Sequence, residues 1–270
     1  MPEFYDTHAH LDSPRFAKDL AEVIARAEAA GITRVITVGT DLRSSARAIE
    51  LSEQYPAVYA VVGWHPTAAL EAPADLQPAL RQLAQHPKVV ALGETGLDFH
   101  HLPTRERRGA TPEDDQRYKQ RQALLFHQHL QAAAELGLGC VVHSRNALSE
   151  TLAQMRPFAG QARGVLHCFV DDAAALGQVL EAGSLVSFAG VVTYESAAAA
   201  RAALAAAPLG KFMLETDCPY LAPMPHRRQR CEPASVQEIA RVAAAVRSVS
   251  LAELSAATCA TAREFFGKLR

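Results

Sequence analysis

Two histidines one residue apart, His8 and His10 in the stretch DTHAHLD, lie near the start of the chain on a segment patterned as a strand. Side chains on a strand alternate between faces, so both imidazoles point the same way. Two imidazoles on one wall are half of a metal site. The ends of later β-branched runs supply the other half: Glu94 (GETGLD), His143 (VVHSR), His167 (LHCF) and Asp217 (ETDCP). Four imidazoles and two carboxylates can hold two divalent cations about 3.5–4 Å apart, bridged by a carboxylate or hydroxide. Taken singly, each of these residues reads as an ordinary polar strand end. Their recurrence at equivalent positions is what argues for a metal centre. Such a centre acidifies water and polarises a phosphoryl or carbonyl oxygen, so the reaction class is hydrolysis. Asp217 and Glu94 are the carboxylates expected to carry it, with Asp217 both ligand and acceptor of the water's proton. The sequence has no serine elbow, phosphate-binding glycine loop or dinucleotide fingerprint pointing elsewhere.

Asp6 and Glu215 each precede a ligand candidate by two residues, which predicts the same facing one layer deeper. They read either as partners orienting the histidines or as structural carboxylates. His65 (GWHP) and Asp98 fall at the pocket rim and read as substrate contacts. Cys140, Cys168 and Cys218 have the opposite strand parity to the ligands and read as packing residues; Cys231 and Cys259 lie outside strands. His100, His101, His127 and His129 are expected at solvated positions. Arg105, Arg107, Arg108, Arg145, Arg227, Arg228 and Arg230 follow strand ends and would focus positive potential at the mouth, with Arg145 and Arg227 as substrate contacts. Trp64, Phe99, Phe169 and Tyr220 are the aromatics available there for base stacking.

Those positions require a particular scaffold. Strands are predicted at about 3–8, 33–38, 58–63, 89–94, 139–143, 164–168, 185–189 and 211–216. Helices are predicted between them, near 19–31, 43–55, 75–85, 116–136, 147–156, 172–182 and 195–206, and two more near 234–248 and 251–268. Strict alternation implies parallel strands with right-handed crossovers, and eight such units imply an α/β fold of the TIM (β/α)8 barrel type, with an open doubly wound sheet as its rival. No linker divides the chain, so residues 1–270 are expected to form a single domain. Residues 98–115 read as a long, polar, exposed loop.

Composition is that of a globular protein: 270 residues, 49% hydrophobic, 21% charged, net charge −2. The charge gives no overall attraction to polyanions, so nucleic-acid binding would need local patches. Five cysteines without paired spacing point to a reducing, cytoplasmic setting. Neither a membrane-spanning run nor a signal peptide is expected.

The motifs DTHAHLD, GWHP, GETGLDF, HSR, HCF, SFAG and LETDCPYLAP, in this order over about residues 4–266, resemble those of the TatD-like metal-dependent hydrolases. The resemblance implies a metal-dependent hydrolase barrel with DNase activity, including 3′→5′ exonuclease action, supported by Mg²⁺ or Mn²⁺. Its ligand positions fall on His8, His10, Glu94, His143, His167 and Asp217. Glu94 matches a position where related hydrolases carry a modified lysine. This chain departs from the family in PMPHRRQRCEP, where Cys231 replaces a usual Asn, and at Ala260. The leading expectation is a deoxyribonuclease using two divalent ions (Mg²⁺ or Mn²⁺, with Zn²⁺ compatible) on single-stranded DNA or 3′ ends, in DNA repair. The alternatives are hydrolysis of a carboxylic ester or amide such as aminoacyl-tRNA, and a non-catalytic metal-binding barrel. Oligomeric state is not encoded in any motif.

Overall fold

Eight strands form one parallel sheet in sequence order in the computed structural model, which describes residues 2–269. They are β1 Phe4–Ala9, β2 Ile32–Val38, β3 Val58–Val62, β4 Val89–Asp98, β5 Gly139–Arg145, β6 Gly164–Leu166, β7 Leu185–Phe188 and β8 Phe212–Leu214. Met1 and Arg270, the ends of the expected domain, lie outside the described residues. The sheet closes through β8 and β1. Thr7 Oγ1 donates to Leu214 O (3.0 Å), Asp217 N to His8 O (2.9 Å) and His10 N to Cys218 O (2.8 Å). The result is the expected (β/α)8 barrel.

Helices α1 Leu20–Ala29, α2 Leu42–Gln54, α3 Gln77–Leu83, α4 Pro103–Glu106, α5 Pro112–Leu136, α6 Leu148–Met155, α7 Ala173–Glu181 and α8 Ala198–Ala206 lie between strands; α9 Val236–Arg247 and α10 Leu251–Phe265 follow β8. Among the described residues no single helix is long and apolar enough to cross a membrane. Strands such as β3 (VYAVV) are buried throughout, as a parallel sheet covered on both faces requires. One apolar cluster fills the space between sheet and helices. A second, including Ile36, Val61, Val141, Val165, Leu185 and Met213, fills the lower barrel and is sealed by Phe265 and Phe266 at the end of α10.

The long loop expected over 98–115 is more ordered than its composition suggested. β4 runs on to Asp98, paired with β5. Gly96 makes this possible: its φ is +129°, and a Cβ there would lie 2.1 Å from His143 O, so only glycine can keep the two strands together. α5 begins at Pro112 because Thr111 and Asp114 form a capping box with proline at the first helical position. Asp115 then accepts from Thr104 N (2.9 Å) and Oγ1 (2.6 Å), tying α4 to α5.

Candidate metal centre

The end of β1, the second half of β4, the end of β5 and the residues just after β1, β6 and β8 converge at one mouth of the barrel. There His8, His10, Glu94, His143, His167 and Asp217 meet. Glu94 is central. Its Oε2 faces His8 Nε2 (3.4 Å) and His10 Nε2 (3.7 Å), while its Oε1 faces His167 Nε2 (2.8 Å) and His143 Nδ1 (3.1 Å). Asp217 Oδ1 lies 3.4 Å from His10 Nε2 and 3.8 Å from His8 Nε2. Asp217 holds a positive φ of 58°, a strained conformation for a residue with a side chain, kept by its N–H bond to His8 O.

Contacts on the far side of the rings, hydrogen bonds for His10 and His143 and a longer carboxylate approach for His167, go with the nitrogen that faces the centre. His10 Nδ1 donates to Val38 O (3.0 Å), leaving the Nε2 lone pair inward. His143 Nε2 donates to Asp98 (3.0 Å), leaving Nδ1 inward. His167 Nδ1 lies 3.5 Å from Glu215 Oε1, with Nε2 inward. Glu215 is itself held by Cys168 N (2.6 Å) and Ser187 Oγ (2.5 Å). The two readings of the deeper carboxylates therefore separate. Glu215 backs a candidate ligand, whereas Asp6 accepts from Thr216 N and Oγ1 and from His8 N, a structural role across the barrel seam. Burial pushes Asp6 up to about 8.

The donor set fits divalent cations. His8 Nε2 touches His10 Nε2 (3.3 Å) as well as both carboxylates. An imidazole nitrogen carries at most one hydrogen, so these contacts cannot all be hydrogen bonds; a cation among them would satisfy them together. Among the described residues, three groups have ligand atoms within 4.8 Å of one another: His8, His10 and Asp217; His8, Glu94 and His167; His65, Glu94 and His143. The cage also calls for positive charge. Burial works against charge on His10, yet Asp217 and Glu94 raise it to about 9. Burial likewise opposes charge on His143 and His167, but neighbouring carboxylates hold both above the usual range. Glu94 is held well below its usual range, against burial, by the surrounding imidazoles.

Two confluent clefts open onto this centre. The inner one, about 440 Å³, includes His10, Asp12, Asp41, Glu94 and Asp217. The outer one, about 830 Å³, includes Asp98, His101, Arg107, Tyr118 and Arg145. His65 lines both and lies 3.1 Å from Glu94, closer to the ligand cage than a rim residue. The signal was its place just beyond the end of β3, matching the other ligand candidates. Asp98 differs from its reading as a substrate contact. It is only 1% exposed, and its oxygens are taken by His143, by His101 Nδ1 (2.9 Å) and by the N–H groups of His100 and His101. Arg145 and Arg107 line the outer cleft, but Arg227 lines neither and lies over the Tyr194 ring at 4.3 Å. Arg230 is tied up by Asp19 (2.6 Å) and Glu232 (2.7 Å). His129, expected in solvent, is fully buried, accepting from Trp64 N (3.1 Å) and donating to Leu125 O (2.7 Å). All five cysteines are free; Cys140 and Cys218, read as packing residues, are buried, as are Cys231 and Cys259.

Comparison with known proteins bears on this geometry. The family described as TatD related DNase matches residues 5–267. An uncharacterised metal-dependent hydrolase of Bacillus subtilis strain 168, YabD, is 32% identical over 263 residues, covering 97% of this chain and 98% of its own. The 3′-5′ ssDNA/RNA exonuclease TatD of Citrobacter rodentium is 37% identical over 270 residues, covering 97% of each. The crystal structure of YJJV, a TatD homologue from Escherichia coli K12, superposes with a TM-score of 0.87 at 28% identity, covering 98% of both chains.

Proposed function

Because the chain belongs to the TatD family of metal-dependent hydrolases, we propose that it is a deoxyribonuclease removing nucleotides from the 3′ ends of single-stranded DNA. His8, His10, Glu94, His143, His167 and Asp217 would hold two divalent cations, Mg²⁺ or Mn²⁺, with Zn²⁺ compatible with so many imidazoles. Bound there, the cations would polarise a phosphoryl oxygen and acidify a water molecule.

The observation that carries this reading is the two-sided engagement of Glu94. One oxygen faces the His8–His10 pair and the other faces His143 and His167, so a single carboxylate offers one donor to each half of the cage. The remaining roles follow from position. Asp217 lines the inner cleft; burial works against its charge, but His10 holds it below the usual range, so it is an ionised carboxylate beside the space a metal-bound water would occupy. Asp98 and Glu215 orient His143 and His167. His65, common to both clefts, is within reach of a substrate above Glu94. Arg145 and Arg107 offer charge to the phosphates of the strand in the outer cleft. The named activity of the Citrobacter relative supports the choice of a phosphodiester over a carboxylic ester.

The test is a substrate panel of 5′-labelled single-stranded DNA, duplex DNA, RNA and aminoacyl-tRNA, each with Mg²⁺, Mn²⁺ or Zn²⁺. Stepwise shortening of single-stranded DNA from the 3′ end, stopped by EDTA, is expected. Deacylation of aminoacyl-tRNA with intact DNA would overturn the proposal, as would equal activity in a His8→Ala/His10→Ala variant.

A further inference from the structure

Of the four aromatics that follow strand ends, three are spent inside the fold. Trp64 and Phe169 are buried, and Trp64 Nε1 donates to Ala68 O (2.8 Å). Phe99 packs against the core with the Lys119 ammonium 4.7 Å over its ring. Tyr220 is different. It is 54% exposed, the sole aromatic among the large exposed hydrophobic residues described. Among the described residues its hydroxyl takes no protein partner. Its ring centroid stands 6.3 Å from that of His10, and it lines both clefts where they meet.

An exposed aromatic ring costs free energy in water, and here the backbone carrying it is held on several sides. Tyr220 N donates to Asp217 O (3.0 Å). The preceding Pro219 O accepts from Arg15 Nη1 (3.1 Å) and Cys231 N (3.3 Å). The following Leu221 O sits so close to Gly190 that a Cβ there would lie 2.0 Å away. The backbone that carries the ring is therefore held in place beside the cage, with the ring standing in the opening the two clefts share. Its two sides are unlike: Arg107 and Arg145 line the outer cleft, and Asp12 and Asp41 the inner one.

A flat, solvent-facing ring on a held backbone beside the candidate metal centre, with guanidinium groups along one approach, is the arrangement that takes a base on its face and a phosphate backbone alongside. We propose that Tyr220 is the stacking platform for the terminal base of the strand. This rests on the nuclease reading above. The base bonded to the reacting nucleotide lies on the ring, while the phosphates behind it run over Arg145 and Arg107.

The experiment compares wild type, Tyr220→Ala and Tyr220→Phe on single-stranded oligonucleotides ending in a normal or an abasic 3′ nucleotide. Stacking on one aromatic predicts a loss of about tenfold or more in kcat/KM for Tyr220→Ala, mostly through KM, with Tyr220→Phe near wild type. On the abasic end, wild type should fall to the level of Tyr220→Ala, which should lose nothing further. As a readout free of turnover, a 3′-terminal 2-aminopurine should be quenched on binding wild type and Tyr220→Phe in EDTA, but not Tyr220→Ala. Equal activity of wild type and Tyr220→Ala on normal ends overturns this proposal alone, as does an equal loss on both kinds of end. Absence of any DNA hydrolysis by wild type overturns the nuclease reading and takes this proposal with it.

Discussion

The two ends of the barrel are built from the same strands and treat charge in opposite ways. On β5, Val141 lies in the lower apolar cluster and His143 in the cage two residues later. Val165 precedes His167 by the same step on the chain through β6. Around the seam, Met213, Glu215 and Asp217 carry the same progression from apolar plug to backing carboxylate to candidate ligand. The lower end is closed by Phe265, Phe266 and Leu269. The upper end crowds imidazoles and carboxylates into contact and holds Asp217 at positive φ. The lesson is a division of labour along each strand. Apolar burial at one end stabilises the barrel enough to hold, at the other, groups that would not gather on their own.

That contrast can be broken from either end. Replacing His8 and His10 with Ala should cost about 10³-fold or more in kcat/KM, since metal-assisted hydrolysis draws several kcal/mol from its ligands. The same variant should keep most of its melting temperature, measured in EDTA, because relief of the crowded cage offsets the lost His10–Val38 hydrogen bond and the lost stacking of His8 on His167. A large drop in the EDTA melting temperature would show that the mouth also supports the fold. Phe266→Ala should do the reverse. Truncating a fully buried phenylalanine costs about 3–5 kcal/mol of stability, read from denaturant unfolding, with kcat/KM per folded molecule unchanged. If activity fell in proportion, the two ends would be coupled.

His129 tests the packing of α5 behind the mouth. Burial lowers it to about 4, against 6.5 in the unfolded chain. Between those values the unfolded chain binds a proton that the folded protein refuses, so stability falls as pH drops through this window, by about 3 kcal/mol in all. His129→Gln should flatten the dependence of stability on pH between about 6.5 and 4; an unchanged slope would assign the acid limb to other groups. The smallest effect is expected at Asp98→Asn, which weakens the orientation of His143. A loss of about 10–100-fold in metal affinity or activity is expected by titration and steady-state kinetics, with the fold intact. No change in metal affinity would return Asp98 to a purely structural role.

How far these features could be read from the chain depends on whether they are local. His8 and His10 declare themselves by a two-residue step on a strand, and His143 and His167 by their place at the ends of apolar runs. The continuation of β4 to Asp98 escaped that kind of reading. It depends on Gly96 meeting a carbonyl of β5, a contact between segments 47 residues apart in the sequence (Gly96 and His143). His129 escaped it too, because its partner Trp64 N lies on a loop that only the fold brings to α5. Arg230 looked like part of a cationic rim until Asp19, more than two hundred residues earlier, was seen to hold it.

The amino-acid sequence alone determined the alternation of strands and helices, the parallel sheet it implies and the identity of the six candidate ligands at its mouth; closure of the sheet rests on contacts across the β8–β1 seam. Periodicity and strand-end position are properties of neighbouring residues, and repetition of one pattern adds their weight together. The tertiary structure alone decided which nitrogen of each imidazole turns inward, which carboxylate backs which ring, and which aromatic is left facing solvent. Those outcomes are set by hydrogen bonds and packing between elements remote in the chain, and no local pattern carries them.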